Sequence, residues 1–350
     1  MNNFWEKLDR PFFVLAPLAN VTDAAFRRVI AKYSKPTGPA VFYTEFVSAD
    51  GLALANPEGR AKLMRDLLYS EAERPIVAQF FTSTPAHMEA AAKLAQDLGF
   101  DGVDINMGCP DRSVEKQGGG AALIKTPQIA RELIRAAKRG APNLPISVKT
   151  RLGYNKDALE EWLPELLAEE PAALILHART RKEMSAVPAR WERVKRAVEI
   201  LNEKGSKTLI LGNGDLTDIE DAKRKVTESG ADGAMLGRAI FGRPWLFAQT
   251  PPKLDEKIVW PDYPSADSTG DPRTFSQEVL AKLYISIEHA KLFEELLGDI
   301  KNFAIMKKHF KAYAEGFPGA KELRVQLMET NSSAEIEQII NTFVSSKSHL

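Results

Sequence analysis

Eight short, almost uninterrupted apolar runs recur through the first two thirds of the chain, and the stretch after each returns its apolar residues every three or four positions. The runs are 12–18, 41–47, 75–81, 102–107, 145–151, 173–180, 208–215 and 233–239, from FFVLAPL to GAMLGRA. Strands that bury both faces lose the in-and-out alternation, so these read as strands of a parallel sheet with amphipathic helices between them. Helix starts are marked at several gaps. Thr84 followed by Pro85 begins a helix running to Gly99, and Thr126 followed by Pro127 begins one ending at Gly140. Thr217 with Glu220 makes a capping-box pattern ahead of a helix that ends near Gly230. Eight strand-and-helix units in about 250 residues predict an α/β fold, a closed (β/α)8 TIM barrel. A doubly wound open sheet usually has fewer strands and leaves this even spacing unexplained.

The pattern then changes. Residues 251–272 are rich in Pro, Asp and Ser without a sustained period, and from Phe275 onward the helical period returns and holds to the end. The expected organisation is a catalytic barrel over 1–250, a linker over 251–272 and a small all-helical domain over 273–350.

Composition narrows the class. The chain has 350 residues and one cysteine, Cys109, which excludes an internal disulfide framework and a multi-thiolate zinc site. Lys plus Arg and Asp plus Glu both number 47, so an RNA-binding surface would have to be a local patch. Acidic residues in MNNFWEKLDRPFF, without a basic stretch leading into an apolar run, argue against a signal peptide. No apolar run reaches membrane-spanning length, and a soluble cytoplasmic protein is expected, without membrane partner or metal and as a monomer.

In a barrel of this kind the working side chains stand at the carboxyl ends of the strands. Those ends carry Pro17 and Leu18, Gln79, Asn106 through Cys109, Lys149 and Arg151, His177 and Arg179, Asn213 and Asp215, and Gly237 with Arg238. Purely structural strand ends would more often be aliphatic. GNGD and LGRA put glycines and an arginine at the ends of the seventh and eighth strands, where this fold binds phosphate, so a phosphorylated cofactor is expected. Lys149 at the mouth suits a ring that gains negative charge on reduction, as a flavin does. Neither GxGxxG nor HExxH occurs, which disfavours a Rossmann-bound nicotinamide and metal catalysis.

In that order and at those spacings, APLANVTDAAFR, TEFVSA, VAQFF, DINMGCP, GGGAALI, SVKTRLG, LHARTR, NGDL and GRAIFGRPWLF resemble the flavin-dependent tRNA-dihydrouridine synthases. MKKHFKAYAEGFPGAKELR resembles that family's helical tRNA-binding domain. The resemblance implies bound FMN, reduced by NADPH, with Ala16, Pro17 and Leu18 along its ring and Gln79, Lys149 and His177 bonding it. It implies that Asn213, Gly214, Asp215, Gly237 and Arg238 hold the phosphate end, and that Asn106, Arg151 and Arg179 meet the target uridine and adjacent RNA. Cys109 matches the proton donor, and the glycines after it are expected to let the loop approach RNA and order on its arrival. The partner implied is tRNA, with Lys307, Lys308 and Lys311 in a basic patch on a helix whose Phe303, Met306 and Phe310 form core.

The run KEMSAVPARW after LHARTR departs from the family's usual pattern, which bears on the shape of the substrate loop more than on the reaction. Two other readings stand beside this one. An FMN barrel acting on a free pyrimidine, of dihydroorotate or dihydropyrimidine dehydrogenase type, would not need the lysine-bearing helical domain. A tRNA-binding folding factor with a vestigial redox site would not need Asn106, Cys109, Lys149 and His177 together.

Overall fold

The computed structural model describes residues 3–35, 37–252 and 275–348, so the expected linker lies outside the described residues from 253 on. Each of the eight apolar runs contains a strand. They are β1 (Phe12–Leu15), β2 (Phe42–Ser48), β3 (Ile76–Phe81), β4 (Gly102–Met107), β5 (Ile146–Arg151), β6 (Ala173–His177), β7 (Leu209–Asn213) and β8 (Gly233–Leu236). Every pairing is parallel, in the order β1-β8-β7-β6-β5-β4-β3-β2. β1 also meets residues 40 and 41 on its other side, through Leu15 N–H to the Val41 carbonyl at 3.1 Å and Ala40 N–H to the Phe13 carbonyl at 2.9 Å. Those bonds close the sheet on itself, which makes the architecture the expected TIM barrel.

Between the strands lie α1 (Ala24–Ser34), α2 (Ala49–Leu54), α3 (Pro57–Arg65), α4 (Pro85–Asp97), α5 (Arg112–Lys116), α6 (Pro127–Gly140), α7 (Leu159–Leu167), α8 (Trp191–Lys204) and α9 (Ile219–Ser229). α4 and α6 start at the expected prolines, although neither Thr84 nor Thr126 accepts a capping bond through its side chain. The fixed φ of proline at the first helical position suffices. The cap of α9 is one residue later than the capping-box pattern predicts. Asp218 accepts from the Asp221 amide at 2.8 Å, in keeping with the stronger N-cap preference of Asp over Thr. Gly230 ends the helix in the left-handed region, with φ 72°.

Strand residues two apart point the same way, so each strand sends alternate side chains into the barrel. Six strands contribute Phe12, Val14, Tyr43, Val77, Ile175, Leu211 and Met235 to one apolar cluster. At the matching level β4 and β5 place Asp104 and Ser147 beside each other in register, both fully buried. The apolar filling therefore carries a polar insert on one side, directly beneath the strand ends that bear Asn106 and Lys149.

By its contacts the described chain forms two compact units, Met1–Thr22 with Gly38–Arg238, and Asp23–Thr37 with Ala239–Leu350. This differs from a break at residue 250, since α1 groups with the carboxyl-terminal helices. Those are α10 (Gln277–Leu297), α11 (Lys307–Tyr313), α12 (Ala320–Glu329) and α13 (Ser333–Ser348). Ala25 of α1 belongs to the same apolar core as Phe293, Met306, Phe310, Leu323 and Ile336, and Phe303 packs against that core.

Within this second unit Phe26 stacks on His289 at 4.9 Å, and His309 lies edge-on to both rings at 4.6 Å. Both histidines are buried, and among the described residues neither nitrogen of His309 has a hydrogen-bond partner. Burial, helped by the Lys308 charge, holds His309 down at about 3, and burial beside His309 holds His289 well below its ordinary value. The unfolded chain takes up protons near the ordinary histidine value while the folded chain does not, so stability is full above it and falls as pH drops. The slope is about 1.4 kcal/mol per pH unit for each histidine once the pH is below about 6. Urea unfolding of wild type and His309→Phe across that range checks this: the variant loses stability less steeply. Parallel pH dependences for the two proteins would refute it.

Candidate functional site

The strand ends surround a cavity of about 510 Å³. Ala16, Pro17 and Leu18 line it beyond β1, Asn106 and Cys109 at the end of β4, Lys149 and Arg151 on β5, and His177 and Arg179 after β6. Asn213, Gly214 and Asp215 follow β7, and Gly237 and Arg238 follow β8. Of the residues expected at the mouth, Gln79 stands apart. It is fully buried on β3 and does not line the cavity. Lys307, Lys308 and Lys311 are on α11 in the second unit, with Lys308 and Lys311 exposed.

The loop carrying Cys109 is held from both sides. Asn106 Oδ1 accepts from the amides of Gly108 at 3.1 Å and Cys109 at 2.9 Å, and the Cys109 carbonyl accepts from the Ala121 amide at 2.9 Å. The chain can fold back onto that carbonyl because Gly120 has φ 60°, and a Cβ there would sit 2.7 Å from the Cys109 oxygen. Gly118 is packed as tightly, with a Cβ position 2.8 Å from Ser83 Oγ. In the structure these glycines serve close approach within the protein. The loop is made of α5 and a 3-10 turn (Gly120–Lys125). Burial, with the Asp111 charge nearby, raises the Cys109 thiol above its ordinary value, so it carries its proton at neutral pH.

Lys149 Nζ donates to Asn213 Oδ1 at 3.2 Å, and Asn213 Nδ2 donates to the Met235 carbonyl at 2.8 Å. Enclosure by protein, with Arg151 nearby, lowers Lys149 to about 8. The same enclosure, together with the charges of Arg151, Lys149, Arg179 and Arg238, holds His177 well below its ordinary value. His177 is therefore neutral. Its Nε2 lies 3.2 Å from Arg179 Nη1, and because a guanidinium only donates, Nε2 accepts and the ring proton is assigned to Nδ1.

Arg151 and Arg179 are buried, and their guanidinium groups turn to backbone. Arg151 donates to the carbonyls of Gly108 at 2.7 Å, Thr180 at 3.2 Å and Met184 at 3.4 Å. Arg179 donates to the Val187 carbonyl and pairs with Asp215. The run KEMSAVPARW is thus a loop braced from beneath, which presents Met184 at the cavity edge, 51% exposed and with a left-handed φ of 50°. Burial raises the Asp215 carboxyl, but Arg179, the Ala189 amide and Arg238 more than offset it, leaving it below its ordinary value. Arg179 cancels the Asp215 charge, so Arg238, whose side chain is 67% exposed, keeps a net positive charge at the rim.

The glycines of the last two strands divide by role. A Cβ on Gly212 would lie 2.3 Å from the Trp191 ring, so that glycine exists for packing. Gly214, at φ 124° and with a Cβ position 2.8 Å from Ala189 Cβ, and Gly237, where a Cβ would lie 3.5 Å from Ala16 Cβ, line the cavity. Of the two, Gly237 has the room of an ordinary contact, next to Arg238.

A sequence model of the dihydrouridine synthase (Dus) family matches residues 14–348. The chain belongs to the dihydrouridine synthase family. A probable tRNA-dihydrouridine synthase of Staphylococcus epidermidis is 38% identical over 343 residues, covering 97% of this chain and 96% of that one. A probable tRNA-dihydrouridine synthase 2 of Bacillus subtilis is 37% identical over 342 residues, covering 97% and 96%. Among solved structures, histamine dehydrogenase from Rhizobium sp. 4-9 is similar with TM-score 0.50 and 14% identity, over 80% of this chain and 48% of that one. 2-Naphthoyl-CoA reductase is similar with TM-score 0.50 and 12% identity, over 68% and 49%. The chain spans about half the length of these two structures, and the likeness is one of fold.

In this dihydrouridine synthase family member, two further polar groups lie beneath the site, and the strand ends alone do not reveal them. Asp104 Oδ2 accepts from Gln79 Nε2 at 2.6 Å, and Asp104 Oδ1 accepts from Ser147 Oγ at 2.6 Å. Burial raises Asp104 to about 6 against those two bonds and the nearby Lys149 charge, so it is ionised at neutral pH. Alternation held the signal. Asp104 and Ser147 lie two residues before Asn106 and Lys149, on the same inward face.

Proposed function

We propose that this chain reduces a uridine of tRNA to 5,6-dihydrouridine, using FMN reduced by NADPH. The reading rests on one conjunction: the chain belongs to the dihydrouridine synthase family, and its only thiol lines the barrel cavity in protonated form beside Asn106 and Lys149. The cavity fits a flavin mononucleotide in its donor set. Gly237 puts a residue without a side chain next to the cation of Arg238, with Gly214 also on the cavity lining, which suits the phosphate, and Ala16, Pro17 and Leu18 offer an apolar wall for the ring. Lys149 and the Nδ1 proton of His177 would face the ring's polar edge, with Asn213 steering the ammonium through its side-chain oxygen. Gln79 would act from below through Asn106.

When bound and reduced, the flavin supplies a hydride to C6 of the uracil ring. The electron pair of the C5=C6 bond then takes the proton of Cys109 Sγ at C5, and the thiolate regains a proton from solvent. A hydride and a proton are thereby added across the double bond. The target base must leave the RNA stack to enter the cavity, at a cost of about a few kcal/mol. Arg151 and Arg179 shape the cavity wall through the loop carbonyls they hold, and Met184 meets the incoming nucleotide.

Mapping dihydrouridine in tRNA from a strain lacking this protein tests the reading. Loss at defined positions, restored by the wild-type gene, is the expected result. Unchanged dihydrouridine, or turnover of free uracil without tRNA, would overturn it. Charge reversal at Lys307, Lys308 and Lys311 should weaken tRNA binding and flatten its salt dependence, by up to about 0.9 in log–log slope for each phosphate that is no longer neutralised. Flavin content should stay at the wild-type level. Affinity and slope that do not move would make these lysines a solvated helix face.

A further inference from the structure

We propose that Asp104 is a positioning residue for the proton donor: through the amides of Gln79 and Asn106, it fixes the hydrogen-bond direction that holds the backbone of Cys109. The inference rests on the proposed function only for the word donor. The chain of hydrogen bonds is in the structure itself. Gln79 Nε2 donates to Asp104 at 2.6 Å, Asn106 Nδ2 donates to Gln79 Oε1 at 3.1 Å, and Asn106 Oδ1 accepts from the amides of Gly108 and Cys109 at 3.1 and 2.9 Å.

Each primary amide can present either its oxygen or its nitrogen to a given neighbour, and only the surrounding partners decide which. An ionised carboxylate is purely an acceptor, so Asp104 compels Gln79 to turn its nitrogen downward. That leaves the Gln79 oxygen upward, which compels Asn106 to offer its nitrogen below and its oxygen above. The oxygen is what two backbone N–H groups of the thiol loop require. Reversing the first link reverses every later one and sets the Asn106 amino group against two donors.

At the other end the Gly108 and Cys109 amides can only donate and call for the Asn106 oxygen, so the chain is fixed from both ends and Asp104 is the acceptor that anchors the lower one. Gln79 and Asp104 are fully buried and Asn106 is 6% exposed, so bulk water does not reorient the amides. Ser147 Oγ donates to the other Asp104 oxygen at 2.6 Å, which fixes the carboxylate rather than the amides. Asp104 also sits two residues below the Asn106 and Lys149 pair on the same face, so its charge reaches the site without lining the cavity.

Cys109 is the only thiol in the chain, so alkylation by iodoacetamide reads that loop alone and needs no RNA. In the flavin-loaded protein, Asp104→Leu should raise the alkylation rate at pH 8 at least about tenfold and lower dihydrouridine formation by a similar factor. Asp104→Asn keeps an oxygen for Gln79 and turns its amino group to Ser147 Oγ, and should bring both rates back to within about threefold of wild type. Alkylation at the wild-type rate in Asp104→Leu, or no recovery in Asp104→Asn, overturns the proposal. Gln79→Leu cuts the chain one link higher and serves if Asp104→Leu does not fold; an unchanged alkylation rate there overturns it equally. Altered alkylation in a protein that never forms dihydrouridine would refute the proposed function and leave the positioning role standing.

Discussion

Replacing Cys109 with alanine lowers dihydrouridine formation on modification-free tRNA by at least about a hundredfold, the scale of a lost general acid. Flavin content and reduction of the flavin by NADPH stay near wild type, because the thiol holds none of the cavity's charges. The test is single-turnover reduction of tRNA by the pre-reduced enzyme, with flavin oxidation followed by absorbance. The thiol acts as an acid only while protonated. Burial raises its pKa, so the active form persists below that raised value and is lost only as pH climbs through it. Loss of turnover at moderately alkaline pH must then come from another group. Equal single-turnover rates for Cys109→Ala and wild type would remove Cys109 from the mechanism.

The proposed function makes Lys149 that other group. Its ammonium is lowered to about 8, so its charge is full below that value and disappears as pH rises through it. A fixed cation beside a ring that becomes anionic on reduction stabilises the reduced state. Lys149→Met should therefore slow flavin reduction by NADPH by about two to three orders of magnitude and lower the flavin's midpoint potential. Lys149→Arg keeps a charge throughout the same range and should abolish the fall in reduction rate around pH 8. Stopped-flow reduction across pH checks both variants. Wild-type rates in the methionine variant, or an unmoved pH profile in the arginine variant, would assign the cation to another role.

Much of this fold is legible in the sequence for a simple reason. A strand buried on both faces must be apolar along its whole length, so each barrel strand announces itself, and the polar residues at its end stand out against that background. Cys109, Lys149 and His177 are visible on those terms. The strands stop sooner than the apolar runs suggest, as with β6 ending at His177 rather than Thr180, because the polar tips bend away into loops. Asp104 is hidden inside a run that reads as uniformly buried, where a single acid is easily passed over. Arg151 and Arg179 are legible as cations at the mouth but not as braces, since nothing local says that a guanidinium will turn back to carbonyls about 30 residues away in sequence, as Arg151 does at Thr180. The glycines after Cys109 are expected to let the loop approach RNA, and only the folded chain shows that Ser83 and the Cys109 carbonyl are what they meet within the protein.

The grouping of α1 with α10–α13 bears on how this protein can be divided. A cut between residues 252 and 275 would separate the chain's two long stretches, yet it would leave Ala25 and Phe26 on one fragment and His289, His309 and Phe310 on the other. The helical unit is thus inherited in two pieces of gene, and a recombination that moves only the later piece delivers an unfilled core. Any chimera that exchanges the helical unit between relatives must carry residues 23–37 with it, as a second graft.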